Sequence, residues 1–132
     1  MVRGMRNNNP GNIRIGPAKW RGKVSNNTDG AFEQFETFTY GVRALIILLK
    51  NYMNRSKCDT VRKIITRYAP GHENPTDAYV ISVALGVGVS PDEVLEPNKC
   101  TLRLLVREIT KFENGIGYVV SSQVFNDAWQ MI

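Results

Sequence analysis

The sequence predicts a mainly α (α+β) domain with a small N-terminal β/turn region, and three observations predict it. Apolar residues recur at helical spacing from about residue 39 onward, whereas the first 38 residues are rich in Gly, Asn and Pro and carry only short apolar pieces. The chain has 132 residues, 42% of them hydrophobic, which suffices for one core and not for two, so residues 1–132 are expected to form a single domain.

Within the first 38 residues, Ile13, Ile15, Trp20, Val24, Phe32, Phe35 and Phe38 are too widely spaced for a long helix. The imperfect alternation of Ala31-Phe32-Glu33-Gln34-Phe35 suits a two- or three-stranded antiparallel element. Val42, Leu45, Ile46, Leu49 and Tyr52 then predict a central helix of about four turns, capped by Thr39. Val61, Ile64, Ile65 and Tyr68 predict a second helix capped by Asp59 and ended by Pro70-Gly71. A third is expected from about Pro75 to Leu85, stopped by Gly86 and Gly88. Ser90-Pro91-Asp92-Glu93 reads as a capping box with proline at the first helical position, which predicts a short helical turn. Leu102, Leu105, Val106, Ile109 and Phe112 form an apolar stripe that runs into Glu113-Asn114-Gly115. Phe125, Ala128, Trp129 and Ile132 share one face of a final packing helix over residues 122–132.

Composition narrows the function. Seventeen basic against 12 acidic residues give a net charge of +5, but the cations are scattered, which suits a generally basic surface better than a nucleic-acid face. Cys58 and Cys100 lack CxxC spacing and are expected to be reduced and structural, and His72 is the only histidine. No apolar run spans a membrane, and Met1-Val2-Arg3-Gly4 opens no signal peptide, so export by a Sec signal of its own is not expected. No phosphate loop, dinucleotide fingerprint or metal cluster is present, and neither metal nor cofactor is implied.

Two carboxylates stand out. Glu113 lies on the last turn of a buried helix, half in apolar surroundings, where a carboxyl group can be held protonated near neutrality and serve as a general acid. Glu73 is the alternative acid. It stands just ahead of a helix start, where free N–H groups and the dipole favour the charged form, so Glu113 is preferred. Asp29 is the leading candidate for a second carboxylate, with Glu33 and Glu36 behind it, although Asp29-Gly30 also reads as a plain turn. Four asparagines in Arg6-Asn7-Asn8-Asn9-Pro10-Gly11-Asn12-Ile13-Arg14 build turns and offer amides to a ligand. Asn9, Asn12 and Gln34 are therefore candidates for hydrogen-bonding a ligand, and Trp20, Tyr40, Tyr79 and Tyr118 for stacking on flat ligand faces.

The series Arg6 to Arg14, Trp20-Arg21-Gly22, Asp29 to Phe35, Gly41-Val42-Arg43-Ala44, Thr60 to Pro70 with Glu73-Asn74-Pro75-Thr76, and Glu113-Asn114-Gly115 covers most of the chain. It resembles the lysozyme-like peptidoglycan-cleaving proteins of phage particles, among them the lytic enzyme of enveloped double-stranded-RNA phages. The order of the asparagine, tryptophan and aromatic steps is also similar to flagellar-type glucosaminidases, in which a helix ending in the catalytic glutamate comes before the asparagine motif. Here only Met1 to Met5 precede that motif, leaving no room for such a helix, and the late Glu113 helix would restore it if the lysozyme-like fold is circularly permuted.

The resemblance implies a lytic transglycosylase or muramidase. Such an enzyme acts on the β-1,4 bond between N-acetylmuramic acid and N-acetylglucosamine, so the resemblance implies that Asn9, Asn12 and Gln34 bind sugar acetamido or hydroxyl groups and that Trp20, Tyr40, Tyr79 and Tyr118 stack on sugar faces. Its partners would be peptidoglycan glycan strands and other virion proteins, and its place the virion or the host periplasm and cell wall. The alternative is a non-catalytic virion structural or cell-wall-binding protein on the same fold. A small helical nucleic-acid binder has only net charge in its favour.

Overall fold

The computed structural model describes residues 1–69 and 76–132. The described helices are α1 (Arg3–Arg6), α2 (Phe38–Asn54), α3 (Val61–Tyr68), α4 (Thr76–Val87), α5 (Lys99–Asn114) and α6 (Ser122–Gln130). Among the described residues the molecule is mainly α, with strand character reduced to two isolated antiparallel bridges, Arg14 to Phe32 and Lys23 to Phe35.

The apolar stripes make one core. Val42, Leu45, Ile46 and Leu49 of α2 are fully buried, together with Ile64 and Ile65 of α3, Tyr79 and Val83 of α4, and Leu102, Leu105 and Ile109 of α5. The helix α2 packs most extensively on α6, and α5 on α4. Contact between α2 and α5 joins these two pairs into one body. Inner residues of α4 are buried, but Ile81 and Leu85 on its outer side are exposed, so α4 is apolar nearly all round.

Helix starts differ from expectation by one or two residues. Thr37, not Thr39, caps α2 by accepting from Tyr40 N–H at 3.2 Å. Thr60, not Asp59, caps α3 by accepting from Lys63 N–H at 3.1 Å. A cap must stand at the last extended residue, where its oxygen reaches the N–H three positions on. Thr39 already lies inside α2, and Asp59 instead pairs with the Lys63 ammonium at 3.2 Å. The expected start of α4 at Asn74-Pro75 and the stop at Pro70-Gly71 lie outside the described residues. Helix α4 continues past Gly86 to Val87, and Gly88 follows with φ +88°.

Residues 90–93 form a turn without a helix. The reciprocal capping contact is present, Ser90 N–H to Glu93 Oε1 at 3.4 Å, but the chain then runs onto α3 and Leu95 N–H bonds Asp59 O at 2.7 Å. The N-terminus departs in the other direction, since α1 supplies one helical turn where none was expected. Among the described residues, the two cysteines are unpaired with each other, Cys58 buried and Cys100 exposed. No described helix is long and apolar enough to cross a membrane.

The sheet predicted near residue 31 is limited to bridges because asparagine amides replace much of the ladder. Asn9, with no exposed surface, donates to Ile13 O at 2.9 Å and Glu33 O at 3.0 Å, and accepts from Ile13 N–H at 2.9 Å. Asn8 donates to Phe35 O at 3.0 Å, and Asn27 to Phe32 O at 2.9 Å. Buried backbone groups are thereby satisfied without a continuous strand pair.

Candidate active site

The last turn of α5 sets the carboxylate in place. Gly115 ends the helix with φ +118°, a conformation that favours glycine. Asn114, 8% exposed, donates to Pro10 O at 2.8 Å and to Thr110 O at 3.0 Å, tying the helix end to the asparagine loop. Gly4 of α1 allows that approach, because a Cβ there would fall 2.1 Å from Asn114 Oδ1.

The loop answers with Asn12. Its φ is +50°, a left-handed conformation that asparagine tolerates better than most side chains. Its Nδ2 donates to Glu113 Oε1 at 2.9 Å, across 101 positions of sequence. The other carboxylate oxygen, Oε2, accepts from the Tyr79 hydroxyl at 2.8 Å. Tyr79 is fully buried and stacked on Phe112, with ring centroids 3.8 Å apart. Burial, followed by the negative charge of Glu113, pushes the Tyr79 phenol well above its usual pKa, so it remains a donor at neutral pH. Burial and then Glu113 raise the Tyr68 phenol in the same way, and the Tyr68 hydroxyl donates to Gly11 O.

Glu113 faces a cleft of about 680 Å³ walled by Asn12, Arg14, Trp20, Phe32, Tyr52 and Tyr68, with the segment Gly16-Pro17-Ala18 as one lip. That lip is held from behind. The Lys23 ammonium donates to Gly16 O at 3.2 Å and Ala18 O at 3.3 Å while pairing with the buried Glu33 carboxylate at 3.0 Å. A half-buried carboxylate beside several aromatic rings is equipped for proton transfer to a ligand with flat, weakly polar faces, the form a sugar ring offers.

The expected site residues divide sharply. Glu113 and Asn12 meet, but Asn9 is enclosed within the loop and its amide is fully engaged there, so it has no surface to offer a sugar. Gln34 is likewise occupied, donating to Asn7 Oδ1 at 3.1 Å and Thr28 Oγ1 at 2.9 Å. Tyr79 stands behind the carboxylate instead of at a sugar face. Asp29 is not a second carboxylate of the cleft. Its side chain is 1% exposed, doubly bonded by Arg3 at 2.7 Å each and bonded by Asn7 at 3.0 Å. Those donors, with Arg3 first, hold its carboxyl far below the usual range. Glu33 is buried behind the lip and Glu36 is exposed outside the lining. Of the four aromatics expected at sugars, Trp20 lines the cleft while Tyr40, Tyr79 and Tyr118 do not. Glu73 and His72 lie outside the described residues.

Sequence reasoning missed Tyr52, Tyr68, Phe32 and Arg14 as cleft residues. Tyr52 and Tyr68 close the apolar stripes of α2 and α3, a position that reads as core; their ring contact at 6.4 Å places both at the edge of that core and against the cleft.

Fold and cleft together define a class, a mainly α protein that holds a carboxylate at the end of one helix against an aromatic groove. No family model matches the sequence. The chain is 35% identical over 117 residues to Protein P5 of Pseudoalteromonas phage PM2, a match that spans 86% of this chain and 72% of the relative. It belongs to the family of that phage protein.

Proposed function

We propose that this chain is a peptidoglycan-cleaving glycosidase of the phage virion, a lytic transglycosylase or muramidase on a circularly permuted lysozyme-like fold. Its bond is the β-1,4 link between N-acetylmuramic acid and N-acetylglucosamine. One observation carries the proposal: the Glu113 carboxylate, fixed between Asn12 and Tyr79, faces an aromatic cleft large enough for sugar rings. Support for permutation comes from the contact of the late helix end with the asparagine loop, since the resemblance places the acid helix before that loop. Membership in a phage protein family supports a place in the virion.

In this mechanism Glu113 gives its proton to the glycosidic oxygen as the C1–O bond breaks. The same carboxylate then takes a proton, either from the muramic acid 6-hydroxyl as O6 closes on C1, or from a water that attacks C1. The first route leaves 1,6-anhydro ends and the second leaves reducing ends. Among the described residues lining the cleft, Glu113 is the one acidic side chain, and the first route needs no other carboxylate.

The test is the clearing of a suspension of bare peptidoglycan, with mass spectra of the released fragments. Glu113→Gln should lower the rate about 10²- to 10⁴-fold. It should also stay folded: if the Asn12 amide flips, its buried and otherwise unpaired Oδ1 can accept from the new amide. Clearing unaffected by the substitution would remove Glu113 from the mechanism and turn attention to Glu73. Wild-type protein that pellets with the wall but never clears it would leave a wall-binding virion protein.

A further inference from the structure

The lip of the cleft, Gly16-Pro17-Ala18, leaves the body of the protein between two antiparallel bridges, Arg14 to Phe32 before it and Lys23 to Phe35 after it. Those bridges fix the chain on either side of the lip. Between them the backbone has little of its own to hold it, since Pro17 lacks an N–H and Pro17, Ala18 and Lys19 are exposed. Among the described residues, the hydrogen bonds of residues 16–19 all run to two side chains: the Lys23 ammonium donates to Gly16 O and Ala18 O, and Gly16 N–H donates to Glu33 Oε2 at 3.3 Å.

Lys23 and Glu33 also pair with each other at 3.0 Å, their side chains 26% and 1% exposed. Glu33 Oε1 is buried and has no hydrogen-bond partner among the described residues. An ion pair so enclosed, with one carboxylate oxygen unmet, adds little to the stability of a fold, and two apolar side chains of similar volume serve as well or better. Apolar side chains could not bond the lip. This pair does so through both of its charges, and the Lys23 backbone N–H also bonds Trp20 O at 3.2 Å, next to the lip on the cleft wall.

We propose that Lys23 and Glu33 are positioning residues that fix the lip, and through it set how tightly the cleft holds a glycan strand, without acting on the proton transfer at Glu113. This rests on reading the cleft as a glycan site. A lip released from the pair must be ordered again each time a strand binds, and that cost falls on affinity.

The variant that tests this replaces both charges together, Lys23→Met with Glu33→Leu, because removing one alone would leave the other buried and unpaired. In a Trp129→Phe background Trp20 is the sole tryptophan, and its quenching by acrylamide reports the lip without any substrate. The double variant should keep its fold, quench more readily, and need about tenfold more wall for half-maximal clearing, with kcat lowered less than about threefold. Lys23→Arg, which keeps a cation able to reach the carbonyls, should restore quenching and KM toward wild type. Unchanged quenching and KM in a folded double variant would reduce the pair to a structural role, and a fall in kcat at constant KM would place it in the chemistry; either overturns the proposal. Loss of the fold overturns it too, since the pair would then hold the core. If wild-type protein does not clear the wall, affinity for peptide-free glycan strands replaces KM: weaker binding by the double variant keeps this inference while the enzymatic reading falls, and no binding to any strand sinks both.

Discussion

Replacing Tyr79 with phenylalanine removes one oxygen from behind the candidate acid and leaves the rest of the site in place. The ring stays stacked on Phe112, but Glu113 Oε2 loses the donor it holds at 2.8 Å. Leaving that oxygen without its donor costs about 1–3 kcal/mol, and a domain of this size loses about 4 °C of Tm per kcal/mol, so Tyr79→Phe should melt about 4–12 °C lower. In the Glu113→Gln background the same change removes a neutral bond worth about 0.5–1.5 kcal/mol. Urea or thermal denaturation of the four proteins should therefore give a coupling of about 1 kcal/mol or more. Additivity within about 0.5 kcal/mol would refute the claim that the Tyr79 hydroxyl bonds the Glu113 carboxyl group more strongly than it bonds an amide. Alkaline pH supplies a second reading, because burial and Glu113 raise the Tyr79 phenol above its unfolded value of about 10. With the folded pKa raised, the unfolded chain loses its proton first. The stabilisation is complete below about pH 10 and lost as pH climbs toward the folded value, and Tyr79→Phe should remove that part of the alkaline loss.

Asp29 gives the opposite pH signature. Its folded pKa is depressed, first by Arg3 and then by Asn7, so its stabilisation is present above the unfolded value of about 3.9 and lost as pH falls below it. Asp29→Asn should flatten the acid limb of Tm against pH, and an unchanged limb would show that the Arg3 pair contributes nothing. Asn9→Ala should cost about 2–4 kcal/mol in urea unfolding, since it leaves one N–H and weakens two carbonyl pairings in a buried loop; a cost under about 1 kcal/mol would mean water replaces the amide. Two glycines separate clash from strain. A Cβ at Gly41 would lie 1.8 Å from the Asn8 carbonyl oxygen, so Gly41→Ala should prevent soluble expression, whereas Gly30→Ala meets nothing within 4 Å and should cost about 1 kcal/mol for its φ of +88°. Comparable expression and melting of the two would contradict the geometry.

The helices were readable because apolar periodicity marks long packed elements directly, as Leu102, Leu105, Val106 and Ile109 show in α5. Their starts were less so, since Thr37 and Thr39, or Asp59 and Thr60, are equivalent as residue types and differ only in which one stands at the last extended position. Glu113 and Asn12 could be paired from sequence by motif, but roles within the motif could not. An asparagine that staples a loop and one that reaches a cleft look identical until burial separates Asn9 from Asn12. Tyr79 carried the same ambiguity, because whether a ring faces a ligand or supports a carboxylate depends on which side of Glu113 its helix passes.

The bond between Asn12 and Glu113 joins the first tenth of the chain to its last fifth, 101 positions apart. Closing a loop of that length costs about 4 kcal/mol in chain entropy, so the contact forms only after the intervening helices have brought its ends together. During synthesis the N-terminal loop must therefore wait, without its partner, until α5 has left the ribosome. A chain interrupted between α3 and α5 carries the aromatic residues that wall the cleft and lacks Glu113, so on the proposed reading it would lack the acid that cleavage needs.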